Sequence, residues 1–237
     1  MKAYIIKIEL EESDPLIWRR VIMPADATYK RLHDIIQNVS NFRGGYPYGN
    51  RHLYQFILSK ENMSVTNDEE TCYEHKHFIK NKDLFDQRLE QMSGIEHDFE
   101  KMHQERLGVE ARYPSGLKID HYLETYKEIE YNYDYGDGWV FKIKLEKIVD
   151  DYCYGFATLL DGAESAPPED IGGLRGFSKF IEAYRDPEDS IHEQIAAYGN
   201  VFHFNEYDPS LINKDLKAIV YKKTETDKII DDKYRNE

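Results

Sequence analysis

The sequence predicts an α+β fold, an antiparallel sheet with helices packed on one face and a helical insertion. Three observations predict it. Short runs rich in Ile, Tyr and Trp alternate with single apolar stripes at helical spacing. The run YDYGDGWVFKIKL at 133–145 reads as a hairpin with one aromatic face. Residues 60–116 change character, a polar stretch being followed by a long helical pattern. The 237 residues suffice for a substantial core, and 41% hydrophobic residues with 19 tyrosines make that core aromatic.

Residues 3–10 (AYIIKIEL) and 16–23 (LIWRRVIM), separated by an acidic turn with Pro15, read as an antiparallel pair. Thr28 is placed to cap a helix running through Val39, because Leu32, Ile35, Ile36 and Val39 fall at i, i+3, i+4 and i+7 and give it a face for the sheet. A glycine and tyrosine loop, FRGGYPYGN, leads to a third strand at 52–59 (HLYQFILS). A polar segment from Glu61 to His77 then precedes a helix from Lys82 to Arg106, weakened in its middle by Gly94. Its stripe of Phe85, Leu89, Met92, Ile95, Phe99 and Met102 is explained by folding back onto its own domain, with docking on a partner helix as the alternative. The domain reading is therefore 1–59 plus 117–237 as one α+β domain, with 60–116 as a helical insertion.

A three-residue GDG loop at 136–138 sets Tyr135 opposite Trp139, Tyr133 opposite Phe141 and Tyr131 opposite Ile143. The other face then carries Asp134 near Val140, Asn132 near Lys142 and Glu130 near Lys144. A two-residue loop would put tyrosines over lysines, so the pattern selects the register. Phe177, Phe180, Ile181 and Tyr184 form a helical stripe. Asp186-Pro187 and Asp208-Pro209 look like caps followed by proline at the first helical position, starting helices at 187–198 and 209–221. The polar end, DKIIDDKYRNE, reads as frayed.

Lys+Arg of 31 against Asp+Glu of 45 gives a formal charge of −14, which disfavours direct nucleic-acid binding. Two cysteines, Cys72 and Cys153, make no disulfide framework or zinc pattern and point to a reducing cytoplasm. The apolar run at the N-terminus is too brief for a secretory signal or membrane span, so no membrane partner is expected. No Walker loop, GxSxG elbow, HExxH helix or dinucleotide fingerprint occurs, which lowers the standing of common nucleotide and serine hydrolases. Cys72, His75 and His77 have no matching second pair, and neither a metal nor any other cofactor is expected.

The candidate binding residues are Arg19, Arg20, His33, Asp134, Asp137, Trp139, Glu169 and Asp170. The four acids lie on turn-rich segments flanking one hairpin, where two or more converging carboxylates could hold Mg²⁺ or act as acid and base. His33 would add a proton-transfer group, and Arg19 or Arg20 an anion grip. A purely structural account of the same residues is preferred. Asp137 between two glycines and Glu169-Asp170 after two prolines are turn formers, and Arg19 and Arg20 can pair with these carboxylates. On that account His33 is a helix-edge residue, and Trp18 and Trp139 are core anchors.

Taken in order, LIWRRV (16–21), LHDIIQ (32–37), HLYQF (52–56), YDYGDGW (133–139), LDGAESAPPEDIGG (160–173) and FNEYDP (204–209) resemble the plasmid Ri ORF-3-like family. The resemblance covers residues 1–59 and 118–221. It implies a compact α+β domain, in bacteria, found on plasmids and beside insertion elements, and it carries no established reaction. Many members resemble a CL-G-CPPEDCGG arrangement, with cysteines where this chain has Leu159, Ala166 and Ile171 and a histidine where it has Phe141. Those four residues offer no metal a lone pair, so packing is expected of them. The expected function is a noncatalytic accessory or interaction module associated with mobile elements. It would bind a protein or small ligand beside the hairpin and the PPED loop. The alternative is a metal-assisted phosphoesterase or nuclease-like enzyme using the acidic loops.

Overall fold

Along β1 (Ala3–Leu10) Tyr4, Ile6, Ile8 and Leu10 are buried while Lys7 and Glu9 between them are not, the period of two that a one-sided sheet imposes. The computed structural model describes residues 1–42 and 52–219. All but the first residue of the FRGGYPYGN loop and the polar C-terminal end lie outside the described residues. β1 pairs antiparallel with β2 (Trp18–Pro24), as expected. Thr28 caps α1 (Tyr29–Val39), its side chain accepting from the Arg31 amide, and Leu32, Ile35, Ile36 and Val39 are buried. β3 (Tyr54–Leu58) follows and pairs with β4 (Met63–Thr66).

Next come α2 (Glu69–Lys80), α3 (Lys82–Glu90), α4 (Gly94–Leu107) and β5 (Glu110–Arg112). The single helix expected from Lys82 to Arg106 is thus two, interrupted between Glu90 and Gly94, where Gly94 opens α4 with a left-handed φ of 61° that a helix interior does not adopt. The polar segment before it is itself helical, with the Asp68 carboxylate capping α2 through the Glu70 and Thr71 amides. α4 is inverted relative to expectation. Glu100, Gln104 and Leu107 face inward, while Ile95, Phe99 and Met102 stand 71%, 66% and 65% exposed. The second half of the stripe therefore does not fold back, whereas Phe85, Leu89 and Met92 in its first half are partly buried, with the Phe85 ring 5.1 Å from that of Phe78.

α5 (Asp120–Tyr126), β6 (Glu128–Tyr133), β7 (Trp139–Val149) and β8 (Thr158–Ala163) lead to α6 (Gly173–Arg185), α7 (His192–Val201) and α8 (Pro209–Ala218). Asp208 caps α8 through the Ser210 and Leu211 amides, with Pro209 in the first turn, as expected. Asp186-Pro187 instead closes a turn, in which Asp186 accepts from the Glu188 amide, and α7 starts five residues later than Pro187. The reason is local: a second Asx turn at Asp189, accepting from Ile191, must close before the helix can propagate.

The strands form one sheet in the order β5-β4-β3-β6-β7-β1-β2-β8. Among the described residues every pairing between named strands is antiparallel except β4–β5, which is parallel because α2 to α4 form the crossover between them. The architecture is α+β. One face carries the core, with Tyr54, Phe56, Tyr131, Tyr133, Trp139 and Phe141 packed under α1. The other is a lattice of ion pairs: Lys7 and Lys144 to Glu9 at 2.6 Å each, Lys142 to Glu11 at 2.7 Å and Arg20 to Glu146 at 2.6 Å. Trp18 lies on this second face between Lys7 and Arg20, whose cations sit 4.8 and 5.1 Å from its ring, and is not the core anchor it was expected to be.

The β6–β7 hairpin differs from expectation by two residues. Tyr133 faces Trp139, Tyr131 faces Phe141, Glu130 faces Lys142 and Glu128 faces Lys144, so the loop has five residues, 134–138. Asp134 leaves the strand early. Its φ is 52°, its carboxylate accepts from the Gly136 amide and its carbonyl from the Gly138 amide. A shift of two preserves the face of every side chain, so the aromatic face is retained while Tyr135 is left 51% exposed.

Candidate functional site

Three segments meet at the hairpin end: the residue leading into β3, the β6–β7 loop, and the PPED loop between β8 and α6. Asp137 joins the last two. Its carboxylate accepts from the Ile171 amide at 3.0 Å and the Gly172 amide at 3.1 Å. Burial raises the Asp137 carboxyl above the ordinary range, against the lowering pull of the Gly173, Gly172 and Ile171 amides. Glycine is required on the far side of this contact. A Cβ on Gly173, whose φ is 68°, would lie 2.7 Å from the Asp137 carbonyl oxygen, and one on Gly176 would lie 1.7 Å from that of Ile171.

Glu169 points inward, 1% exposed, and accepts from the Tyr133 hydroxyl. Burial, followed by the Glu169 charge, pushes the Tyr133 phenol far up, so it stays a donor. Tyr198 of α7 donates to the carbonyls of Glu169 at 3.0 Å and Asp170 at 2.8 Å. Asn41, just past α1, holds the start of the loop through the Ala166 carbonyl at 2.6 Å. The PPED loop is therefore fixed to the hairpin, α1 and α7.

Asp134 and Asp170 are the acids whose carboxylates take no part in this clamp. Both have left-handed backbones, with φ of 52° and 55°, a conformation Asp tolerates better than most residues. Asp134 is 7% exposed, and the Asp170 side chain 44%. Between them stands His52, with Nδ1 3.3 Å from Asp134 Oδ1 and Nε2 3.7 Å from Asp170 Oδ1. The imidazole packs edge-on against Tyr133, and its Nε2 is buried with no hydrogen-bond partner. One ligating atom from each of His52, Asp134 and Asp170 lies within 4.8 Å of the other two. Among the described residues this is the one such group of three, and Cys72, His75 and His77 do not form another.

The structure thus brings together Asp134, Asp137, Glu169 and Asp170, and it places the other candidates elsewhere. Arg19 is 3% exposed and spends its guanidinium on the carbonyls of Val39, Trp18, Ala163 and Glu164. It stacks on Tyr207 at 4.4 Å, and burial lowers its pKa to about 10. Arg20 lies on the opposite face with Glu146 and Asp161. His33 is not an edge residue. Its ring stacks on Tyr54 at 3.7 Å and its Nδ1 lies 2.7 Å from the Tyr131 hydroxyl. Trp139 is 1% exposed beside Phe42, in the core. Phe141, Leu159 and Ala166 are buried in the same core, and Ile171 packs against it.

Sequence reasoning missed His52, Tyr133 and Tyr198. His52 opens the HLYQF run, but its meeting with Asp134 depends on β3 pairing with β6, Tyr54 against Tyr133, across a long separation in the chain. An apolar and aromatic step of Ala197, Tyr198, Val201 and Phe202 adjoins Asp170.

The fold and this cluster define the class: an α+β protein with a cluster of polar side chains at one end of a hairpin. The chain belongs to the plasmid pRiA4b ORF-3-like protein family, whose profile matches residues 2–215. It is similar to the uncharacterized protein y4hQ of Sinorhizobium fredii (strain NBRC 101917 / NGR234), 25% identical over 208 residues that cover 88% of this chain and 84% of that protein. It is also similar to the crystal structure of a protein of unknown function, MM3350, from Methanosarcina mazei Go1. There the TM-score is 0.58 and the identity 25%, over 88% of this chain and 96% of the other. Among the described residues no helix is long and apolar enough to cross a membrane.

Proposed function

We propose that the chain is a noncatalytic accessory module, associated with mobile elements and acting in the cytoplasm, that binds a small ligand beside the hairpin and the PPED loop. One observation carries this reading. Asp137 and Glu169 are consumed in fixing the loop, while His52, Asp134 and Asp170 converge beside it. A rigid rim with three convergent polar side chains is the arrangement that captures a group of a few atoms. A partner protein would need a broader surface than these three atoms offer. Direct nucleic-acid contact is disfavoured by the −14 charge and by the acids that neutralise Lys7, Lys142, Lys144 and Arg20 on the open sheet face.

The second reading, metal-assisted phosphoester hydrolysis, draws on the closeness of two carboxylates, Asp134 and Asp170. Against it stands the lack of a spare base, because Glu169 already accepts from Tyr133 and Asp137 from backbone amides. The deciding measurement is hydrolysis of bis(p-nitrophenyl) phosphate and p-nitrophenyl phosphate with Mg²⁺, Mn²⁺ or Zn²⁺. The expected rate equals that of the ion alone, for wild type and for Asp134→Asn. Turnover that disappears in Asp134→Asn overturns the noncatalytic reading.

A further inference from the structure

We propose that the ligand of this site is a divalent transition-metal ion, bound by His52, Asp134 and Asp170; the inference rests on the reading of the site as a small-ligand site. The three donors come from three separate segments, and one ligating atom of each falls within 4.8 Å of the other two; the 3.3 Å approach to Asp134 is made by His52 Nδ1 and the 3.7 Å approach to Asp170 by Nε2. Donors at about 2.0–2.2 Å from a zinc-sized ion lie about 3–3.5 Å from each other, so seating the ion on one ring nitrogen requires a turn of the imidazole and an inward closure from a span of up to 4.8 Å. Asp170 is the side chain free to make it, being the most exposed of the three.

Charge and donor type agree. Two carboxylates and a neutral imidazole supply two negative charges to a dication, and their mutual repulsion is relieved when it binds. The buried, unpartnered His52 Nε2 gains the partner that the protein does not provide. A nitrogen donor with two oxygens favours Zn²⁺, Mn²⁺ or Co²⁺ over Mg²⁺ and Ca²⁺, which prefer all-oxygen shells. Three protein ligands leave at least one coordination position open to water or to an external donor, reached from the exposed Asp170 side. Such an ion ties the start of β3, the hairpin loop and the PPED loop at one point.

The test uses the full chain after chelator treatment and removal of the chelator. Zn²⁺, Mn²⁺, Co²⁺, Mg²⁺ and Ca²⁺ are titrated by calorimetry, and Co²⁺ is also followed by its visible absorption. Thermal unfolding is measured with and without each ion. The expected result is one transition-metal ion per chain, a raised Tm, and Mg²⁺ and Ca²⁺ weaker by at least roughly tenfold. His52→Ala and Asp170→Asn should each weaken binding by roughly tenfold or more. Asn tolerates the left-handed backbone at the exposed position 170, so that variant keeps the fold. Silence for every ion, or binding unchanged in both variants, overturns the proposal and leaves His52 as a packing contact between two carboxylates. Such a silence, accompanied by no phosphoester turnover, leaves the small-ligand reading standing. Metal binding accompanied by turnover keeps the ion and overturns the noncatalytic reading instead.

Discussion

His33 sits between α1 and the aromatic face of the sheet, stacked on Tyr54 and hydrogen-bonded to Tyr131. Burial, and then the nearby Lys30 cation, hold its pKa well below the ordinary 6.5. The unfolded chain therefore takes up a proton near that value while the folded chain resists until lower pH. The stability this gives is present above pH 6.5 and is lost as pH falls toward the folded pKa, at up to about 1.4 kcal/mol per pH unit. Urea unfolding from pH 7.5 to 5 should show that decline in wild type, and a shallower one in His33→Asn, which cannot take up the proton. Parallel profiles would show that another group titrates. At this scale the sequence was partly legible. Thr28 and Asp208 read as caps because a cap is local, whereas His33 read as a helix-edge residue because the ring it stacks on lies on a strand whose position the helix pattern does not contain.

At the scale of the element, patterns specify faces better than they specify partners. The aromatic face of the β6–β7 hairpin was readable because Tyr131, Tyr133, Trp139 and Phe141 recur at every second position, and that alternation survives a two-residue change of register. The loop length was not readable, because an Asp adopting φ of 52° adds residues to the turn that no glycine announces. α4 shows the opposite failure. Its apolar stripe is plain in the sequence, yet Ile95, Phe99 and Met102 face outward because α2 and α3 pack on the side bearing Glu100, Gln104 and Leu107. Glu100 is held there by Arg88 at 3.4 Å and by Gln104 at 3.1 Å. Phe99→Gln should therefore change stability by no more than about 0.5 kcal/mol. Leu107→Ala, on the inward face, should cost about 2 kcal/mol or more. Denaturant midpoints for the two variants decide it, and a large loss in Phe99→Gln would mean that the outward face is covered.

At the scale of the whole molecule, the strand order could not be read from the chain. β3 and β6 are neighbours in the sheet although the whole of β4 through α5 lies between them in sequence, and such non-local pairings leave no local mark. The candidate site inherits this, since His52 meets Asp134 only through that pairing. The segment expected as an insertion, 60–116, contributes two strands to the sheet, β4 and β5, and between them three helices that pack mainly on one another and on β5. That arrangement makes α2 to α4 a separable crossover on a core built elsewhere. Because β4 and β5 run parallel, with Met63 beside Glu110 and Val65 beside Arg112, a replacement linker must return by about one strand length, roughly 10–14 Å, and step sideways by about 5 Å. A Gly/Ser linker of about eight residues, with an end-to-end distance of about 15 Å, spans this. Replacing residues 69–107 by such a linker should leave a chain that unfolds cooperatively, with a lower Tm and the buried fluorescence of Trp139 retained. The core cluster of Tyr4, Tyr29, Phe56, Tyr131 and Trp139 contains no residue from α2, α3 or α4. A shortened chain that lacks a cooperative transition would show instead that the crossover helices are part of the folding unit.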